Sequence, residues 1–276
     1  MIKRTVALLL VFCTLFSVCS ITVTGADIYT YTEGGDGVTI TSWDKNDAYT
    51  VTVPEEIDGE PVVAIGADAF RDCKSIYEII IPDTVTSIDA SAFIGCVSLK
   101  SITVSNNNPA YKTQNGNLYT KNLTTLVKFC DVSAESFTVL NDVNVIGDYA
   151  FYGMDKLKSV SRSTSISKVG KYAFYGCSSL ETFIFSNVKE AGEYSFYGSA
   201  LKSADVNLAN IPEGIFYGCD NMESVVLSKN TARIEKLAFY GCSALKSVVL
   251  GEYVTEIGTS AFADCSALIF SSLLFI

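Results

Sequence analysis

The chain has 276 residues, a formal net charge of −10 at pH 7 and no histidine. The acidic balance argues against nucleic acid and anionic membrane surfaces as partners, because both attract clustered Lys and Arg side chains. The absence of histidine removes Ser–His–Asp and Cys–His nucleophilic sites and every His-ligated metal site. Of the common catalytic mechanisms, one based on carboxylates alone survives as a possibility.

The first 26 residues have the pattern of a secretory signal peptide. Lys3 and Arg4 precede an almost continuous apolar run, and Thr24–Ala26 offers small residues for cleavage. The run is shorter than the ~20 residues of a membrane-spanning helix, so a signal peptide is favoured over the alternative of an N-terminal anchor. We therefore expect a secreted or cell-surface protein that contacts membranes only through residues 1–26. Its mature chain would begin at Asp27 with 18 basic and 30 acidic residues.

Residues 27–54 are predicted to form an N-terminal β-hairpin cap. Tyr29–Thr32 and Val38–Thr41 alternate in polarity and are separated by the glycine-rich segment Gly34–Gly37. Alternating segments around such a turn are typical of a hairpin. A cap with a polar edge is what the end of a repeat protein requires.

A motif of the form Ala-Phe-Tyr-Gly-Cys-x-x-Leu-x-Ser-Val recurs through the rest of the chain. Its phenylalanine falls at Phe70, Phe93, Phe151, Phe174, Phe196, Phe216, Phe239 and Phe262. Of the intervals between them, one is 58 residues and the others are 20 to 23 residues. A period of about 20–29 residues with an L-x-x-L-x-L strand indicates leucine-rich repeats. Residues 55–268 are therefore predicted to stack into one solenoid with a continuous core.

Each repeat divides into a strand and a turn. In one unit, Val248 and Leu250 are expected to point into the core while Ser247 and Val249 point outward, because strand side chains alternate. The same pattern predicts strands at Ile79–Ile81, Ile102–Val104, Phe183–Phe185, Val225–Leu227 and Val248–Leu250. A Val-x-x-Ile-Gly segment then leads, through a sharp bend that suits its glycine, into a short helical turn carrying Ala-Phe. The predicted fold is an α/β repeat: a leucine-rich-repeat solenoid with a parallel β-sheet on one face and short helical turns opposite.

The long interval predicts an inserted β-hairpin excursion at residues 105–137. An Asn-Gly dipeptide, a strong hairpin-turn signal, lies between Tyr111–Thr113 and Leu118–Thr120. A third strand could follow at Thr125–Phe129. Residues 269–276 form an apolar tail that departs from the repeat, which suggests a truncated sequence or a longer parent protein.

Six cysteines share one repeat position: Cys73, Cys96, Cys177, Cys219, Cys242 and Cys265. Parallel strands ~4.8 Å apart would permit a cross-link by distance. However, Met154 and Ser199 take the same position on either side of Cys177, which fits a packed side chain better than a bridge. We predict buried, reduced thiols, and we expect that Cys130, outside this series, could be exposed. No short cysteine spacing indicates a metal site.

The repeat resembles that of BspA-like leucine-rich-repeat surface and secreted proteins, Ala-Phe-x-x-Cys-x-x-Leu-x-x-Ile-x-Ile-Pro-x-x-Val-x-x-Ile-Gly. The matching residues include Phe70, Cys73, Ile76, Ile79, Ile81, Pro82, Val85, Ile88 and Ala92-Phe93. The resemblance covers roughly residues 50–268 and implies a secreted or surface-attached bacterial protein, often an adhesin for host proteins or other cells. It implies no particular ligand, because the repeat consensus does not carry one.

Two surfaces compete as the binding face. The outward strand positions carry, in register, Ser159, Thr182, Ser203, Ser224 and Ser247 with Ile184, Val226 and Val249. A tyrosine stripe follows the repeat phenylalanine at Tyr152, Tyr175, Tyr197, Tyr217 and Tyr240, and is either a docking strip or a packing ladder. Charges alternate beside the strands at Lys158, Glu181, Lys202, Glu223 and Lys246, which favours pairing between neighbouring strands. The sheet face is favoured, because solenoid curvature would make it concave and free of loops.

These features predict a binding or adhesion protein rather than an enzyme. Its partner would be an extracellular protein or a glycan, and no cofactor is indicated. The alternative is a non-catalytic repeat module of a larger secreted enzyme. Sequence beyond Ile276 would separate the two, since a catalytic domain there favours the module and a capping repeat or wall-sorting signal favours the adhesin.

Overall fold

The computed structural model describes residues 20–22, 29–44, 48–161, 165–269 and 273–275. Most of the predicted signal peptide, including its cleavage segment, lies outside these residues. Within the described ranges the chain forms strands and turns, and it forms no α-helix. The expected short helical turns, and with them the α/β class, are therefore wrong; the fold is a solenoid of strands and hydrogen-bonded turns.

The strands follow one another at short intervals along the chain. In order they are β1 Ser20–Thr22, β2 Tyr29–Gly34, β3 Gly37–Trp43, β4 Thr50–Thr52, β5 Glu56–Ile57, β6 Glu60–Ile65, β7 Glu78–Ile81, β8 Ser87–Ile88, β9 Ser101–Val104, β10 Tyr111–Gln114, β11 Asn117–Thr120, β12 Thr125–Lys128, β13 Ser136–Thr138, β14 Val145–Ile146, β15 Ser159–Ser161, β16 Lys168–Val169, β17 Glu190–Ala191, β18 Ser203–Val206, β19 Asn210–Ile211, β20 Ser224–Leu227, β21 Arg233–Ile234, β22 Ser247–Leu250, β23 Glu256–Ile257 and β24 Leu273–Phe275.

The longer strands pair in parallel to form the first ladder, which is the predicted sheet face. It comprises β4-β7-β9, β13-β15 and β18-β20-β22-β24. Its side chains alternate as expected: in β22, Val248 and Leu250 are buried. Four of the five predicted strands are present. Phe183–Phe185 forms none, and the only pairing here is a bridge between Ser159 and Thr182.

The missing strand has a cause in its side chains. Phe183 and Phe185 are both buried, and the following repeat carries the smaller Ala204 and Val206 at the same positions. The Phe183 ring lies 5.0 Å from that of Phe196, and the Phe185 ring lies 5.8 Å from that of Phe216. We attribute the loss of regular pairing to the presence of two such rings in one segment, since β13 carries the single ring of Phe137 and still pairs with β15.

A second parallel ladder is formed mainly by the two-residue strands of the Val-x-x-Ile segments. It contains the parallel series β12-β14-β16-β17 and β19-β21-β23, and the parallel pairs β3-β6 and β6-β8. At the N-terminal end, β2 and β3 form an antiparallel hairpin, so this hairpin joins the second ladder through β3. β4, in contrast, begins the first ladder by pairing with β7.

Each repeat forms one turn of the solenoid, which we call a coil. The segments that carry the repeat phenylalanine are held by hydrogen bonds between neighbouring coils. The backbone N–H groups of Tyr149, Phe151 and Gly153 donate to the carbonyl oxygens of Lys171, Ala173 and Tyr175, at 2.9, 2.8 and 2.8 Å. Tyr149 and Gly153 have φ of 55° and 73°, in the left-handed region. A helix would send these N–H groups to carbonyl oxygens four residues earlier. Because alternate N–H groups donate to the neighbouring coil here, the segment cannot be helical.

The core is a column of stacked phenylalanine rings running along the solenoid. Neighbouring ring centroids lie 4.8 Å apart for Phe151 and Phe174, and 5.1 Å apart for Phe239 and Phe262. The column is interrupted after Phe93, and the buried apolar residues form two clusters that meet at the insertion. The described cysteines are all free and buried. This includes Cys130, so the expectation that Cys130 could be exposed is wrong.

The insertion contains a coil that the motif did not indicate. β10, β11 and β12 form an antiparallel excursion, but β12 also pairs in parallel with β14. Phe129 then takes the repeat position: its N–H donates to the Ala150 carbonyl at 3.0 Å, and its ring lies 5.1 Å from that of Phe151. Within residues 105–137, the excursion therefore ends at β12, and a further coil follows it.

Candidate functional site

The parallel register of the first ladder brings the predicted sheet-face residues into rows. Ser203, Ser224 and Ser247 lie in one row, and Val226 lies beside Val249. Ser159 bridges to Thr182, and the row is interrupted between Thr182 and Ser203 because Phe183–Phe185 forms no strand. Thr182 and Ser203 are exposed, whereas Ser159, Ser224, Ser247 and Val249 are half-buried. Ile184 and Val226 are 47% and 43% exposed.

A ladder of ion pairs follows one edge of this face. Lys158, Lys202 and Lys246 bind the carboxylates of Glu135, Glu181 and Glu223 at 2.8, 2.6 and 2.8 Å. Hydrogen bonding from these lysines lowers the pKa of each carboxyl. Glu135 belongs to the coil inside the insertion and extends the predicted series by one position. Exposed pairs of this kind contribute little stability and leave no net charge to attract a ligand.

The tyrosines that follow the repeat phenylalanine form a continuous stacked column. Centroid distances are 4.9 Å from Tyr152 to Tyr175, 4.3 Å from Tyr175 to Tyr197, 5.0 Å from Tyr197 to Tyr217 and 4.7 Å from Tyr217 to Tyr240. The interplanar angles are between 3° and 24°. All five side chains are half-buried, so each ring covers its neighbours and still reaches solvent.

A second tyrosine column, which the sequence analysis missed, lies beside the first. Tyr149, Tyr172 and Tyr194 stack at 5.1 and 5.5 Å, and the Tyr172 ring is 5.8 Å from that of Tyr175. The signal was present as Tyr-Ala-Phe-Tyr-Gly or Tyr-Ser-Phe-Tyr-Gly in three successive repeats. We call these eight residues the tyrosine surface: Tyr149, Tyr152, Tyr172, Tyr175, Tyr194, Tyr197, Tyr217 and Tyr240.

The hydroxyl groups of this surface are hydrogen-bond donors at neutral pH. Tyr194 donates to Glu213 Oε1 at 2.7 Å, and Glu213 is in turn 3.2 Å from Lys236 Nζ. Burial, reinforced by the neighbouring tyrosines, raises the pKa of Tyr175 to about 12. The stacked ring faces are covered by their neighbours. The surface therefore offers ring edges and hydroxyl groups to a partner.

The described residues contain no group of three His, Cys, Asp or Glu side chains that could hold a metal ion. Burial raises the pKa of Cys96, Cys130, Cys177 and Cys219 to about 12, so these thiols are poor nucleophiles at neutral pH. Across the same residues, no helix is long and apolar enough to cross a bilayer.

Stacked coils with an inward L-x-x-L-x-L strand define a leucine-rich-repeat solenoid. The profile described as "BspA type Leucine rich repeat region (6 copies)" matches residues 50–128, 126–211 and 209–272, and the chain belongs to this family. No curated protein matches the chain.

Two solved structures share the fold. A leucine-rich repeat protein from Eubacterium ventriosum has a TM-score of 0.56 and 19% identity, over 89% of this chain and 95% of that one. The pneumococcal vaccine antigen PcpA has a TM-score of 0.53 and 15% identity, over 94% of this chain and 98% of that one. At such identities the likeness concerns the fold alone.

Proposed function

We propose that the protein is a non-enzymatic binding protein of the cell surface or extracellular space, and that it recognises a partner protein through the tyrosine surface. The observation that carries this proposal is the pair of stacked columns, with centroid distances of 4.3 to 5.0 Å in the first column and 5.1 to 5.5 Å in the second. Tyrosine is enriched at protein interfaces. Rings already fixed by stacking lose little conformational entropy when a partner binds. The signal-peptide pattern of residues 1–26 supports an extracellular location.

The exposed chemistry of the columns favours a protein over a glycan as the partner. An aromatic platform for a sugar presents its ring face, but here the faces are stacked on one another, as for Tyr175 and Tyr197 at 4.3 Å and 8°. Ring edges and hydroxyl groups remain. They suit a polypeptide, whose carbonyl groups accept hydrogen bonds and whose apolar side chains pack against ring edges.

The sheet face is the second candidate, because Ile184 and Val226 are 47% and 43% exposed on it. Its row is interrupted at Phe183–Phe185, however, so a ligand would meet two shorter patches. The exposed side chains of Lys158 and Glu181 at its edge would also have to be ordered or desolvated. The alternative of a non-catalytic module in a larger secreted enzyme uses the same surfaces and differs only in what else the parent protein carries.

Paired variants of the mature chain test the choice of surface. Purified extracellular-matrix and cell-surface proteins are screened for binding, together with a glycan array. We expect Tyr175→Ala with Tyr197→Ala to weaken binding by about tenfold or more, as for hot-spot tyrosines. The matched control, Thr182→Lys with Ser203→Lys and Ser224→Lys, should bind normally. Circular dichroism and thermal melting verify that both variants fold.

The other possible results of this experiment would contradict the proposal in different ways. If the lysine variant loses binding and the tyrosine variant does not, the sheet face is the site. Binding to glycans alone would contradict the partner class. Turnover of a substrate by the purified protein, without binding to any macromolecule, would contradict the proposal that it is a binding protein.

A further inference from the structure

A cavity of about 540 Å³ opens where the regular stacking of coils is interrupted by the insertion. Phe70 donates its N–H to Ala92, and Phe129 donates to Ala150, but the described residues contain no such bond from Phe93 to the Phe129 coil. Nor do they contain a ring contact between Phe93 and Phe129. The cavity lies in this gap. Its volume falls within the range of roughly 300–1,000 Å³ that is usual for small-molecule sites.

The walls of the cavity are largely apolar and its charges are few. Phe93, Val97, Val132 and Met154 line it, and Val97 is 58% exposed. Lys128 also lines the cavity. At the rim, Asp155 and Lys156 are exposed and 3.8 Å apart, so they largely neutralise each other. With Lys128 protonated, the lining carries a net positive charge, although the chain as a whole carries −10.

Lys128 is the one buried lysine among the described residues, at 6% exposure. It occupies the position immediately before the repeat phenylalanine. Alanine holds that position at Ala69, Ala92, Ala150, Ala173, Ala238 and Ala261. Lys128 therefore departs from the repeat consensus. A side chain of this length needs the space that the gap provides.

The ammonium group of Lys128 has no hydrogen-bond or ion-pair partner in the described part of the chain. The ionisable groups that influence it are the thiols of Cys130, Cys96 and Cys177. Their pKa values are raised to about 12 by burial, so they are neutral and supply no counter-charge. Buried lysines are almost always paired. An unpaired lysine facing an apolar cavity is suited to an anionic ligand.

We propose that this cavity binds a small organic carboxylate with an apolar body. The carboxylate would pair with Lys128, and the apolar body would lie among Phe93, Val97, Val132 and Met154. A charge-assisted bond to one ammonium group matches the single negative charge of a carboxylate. A phosphate carries more charge and more acceptor oxygens than one buried amine can satisfy. Tyr152 is the one member of the tyrosine surface that lines the cavity. The proposal does not rest on it, and Tyr175 and Tyr197, which test that surface, do not line the cavity.

Calorimetric titration with matched probes tests the proposal. Decanoate and 3-phenylpropanoate are compared with 1-decanol and 3-phenylpropanol at neutral pH. The wild-type chain should bind at least one carboxylate about tenfold more tightly than its alcohol. Lys128→Met should abolish that preference while keeping affinity for the alcohol, because the cavity walls are unchanged.

Folding failure will not obscure this test, because Lys128→Ala restores the residue found in six other coils and should fold normally. It should also lose the preference for carboxylates. Lys156→Gln, at the rim, should change affinity by less than about threefold, since exposed charges contribute little. The proposal is overturned if neither carboxylate binds at millimolar concentration, or if Lys128→Ala and Lys128→Met retain the preference. Borohydride trapping of an aldehyde on Lys128, without carboxylate binding, would point to covalent capture instead.

Discussion

At the scale of single residues, the recurring cysteine acts as a small buried donor. The Sγ atoms of Cys96 and Cys177 donate to the carbonyl oxygens of Phe70 and Phe151 in the preceding coil, at 3.1 and 3.2 Å. Cys219, Cys242 and Cys265 repeat this geometry with Phe196, Phe216 and Phe239. The thiol combines a small apolar volume with a weak donor, which explains its recurrence without any cross-link.

Two buried serines in one coil test how a hydrogen bond to a buried hydroxyl group affects stability. Ser195 Oγ has no hydrogen-bond partner, whereas Ser199 Oγ lies 3.3 Å from Cys219 Sγ. Ser195 also stands where most coils carry alanine. Ser195→Ala should therefore raise the free energy of unfolding by about 1 kcal/mol, because an unsatisfied buried hydroxyl is removed. Ser199→Ala should lower it by about 1 kcal/mol.

Urea unfolding of both variants measures these changes against the wild-type chain. A loss of stability in Ser195→Ala equal to that in Ser199→Ala would contradict the prediction. It would mean that packing around the serines, and not their hydrogen bonding, decides the outcome.

At the scale of elements, hydrophobic periodicity was sufficient to predict the inward strand positions and most of the first ladder. It could not predict the conformation of the turns, because their N–H groups donate to the next coil. Hydrogen bonds between repeats produce no hydrophobic pattern within the sequence of one repeat. The coil of Phe129 was missed for a related reason. Lys128 replaces the alanine of the motif and Cys130 replaces its tyrosine, so only the ring itself remains recognisable.

The glycine of Val-x-x-Ile-Gly has a second role that the motif did not indicate. We expected it to permit a sharp bend, but Gly170 is not among the positive-φ residues, whereas Gly153 and Gly176 have φ of 73° and 70°. A Cβ at Gly170 would lie 2.3 Å from Asp148 Oδ1 and 2.4 Å from Asp148 N. The glycine is needed because neighbouring coils approach closely at this point.

Substitution of Gly170 by alanine should therefore separate the coils. We expect Gly170→Ala to lower the free energy of unfolding by about 1–3 kcal/mol, the usual effect of overpacking. Gly35→Ala is the matched control, since nothing lies within 4 Å of a Cβ there. The control should change stability by less than about 0.5 kcal/mol. Equal unfolding midpoints for the two variants in urea would refute the close-approach account.

At the scale of the whole molecule, the solenoid is a chain of nearest-neighbour contacts with one weak junction. The two apolar clusters meet at the insertion, where Leu118 and Cys130 belong to one cluster and Tyr119 and Leu126 to the other. Residues adjacent in sequence thus divide between the clusters. The cavity beside Lys128 lies at this junction, so its ligand would contact coils on both sides and strengthen the coupling between them.

Buried acids distributed along the solenoid should make it sensitive to alkali. The pKa values of Cys96, Cys130, Cys177 and Cys219 are raised by burial from 9.0 to about 12. The free energy of unfolding that depends on keeping these thiols neutral is fully present below pH 9. It is lost as the pH rises from about 9 to about 12, because the unfolded chain releases protons that the folded chain retains. Each thiol contributes a slope approaching about 1.4 kcal/mol per pH unit in that window.

Lys128 has the opposite effect on the free energy of unfolding and makes its fall at high pH less steep. Burial lowers its pKa from 10.5, so the penalty for its buried charge fades as the pH rises towards that value. Urea unfolding at pH 8, 9, 10 and 11 in the presence of reductant should show no loss of stability up to about pH 9 and a fall above it. Replacing Cys177 and Cys219 by alanine should make the fall above pH 9 shallower by up to about 2.7 kcal/mol per pH unit, since two titrating thiols are removed. A flat profile up to pH 11, or the same slope in that variant, would mean that the thiols are not held protonated by burial.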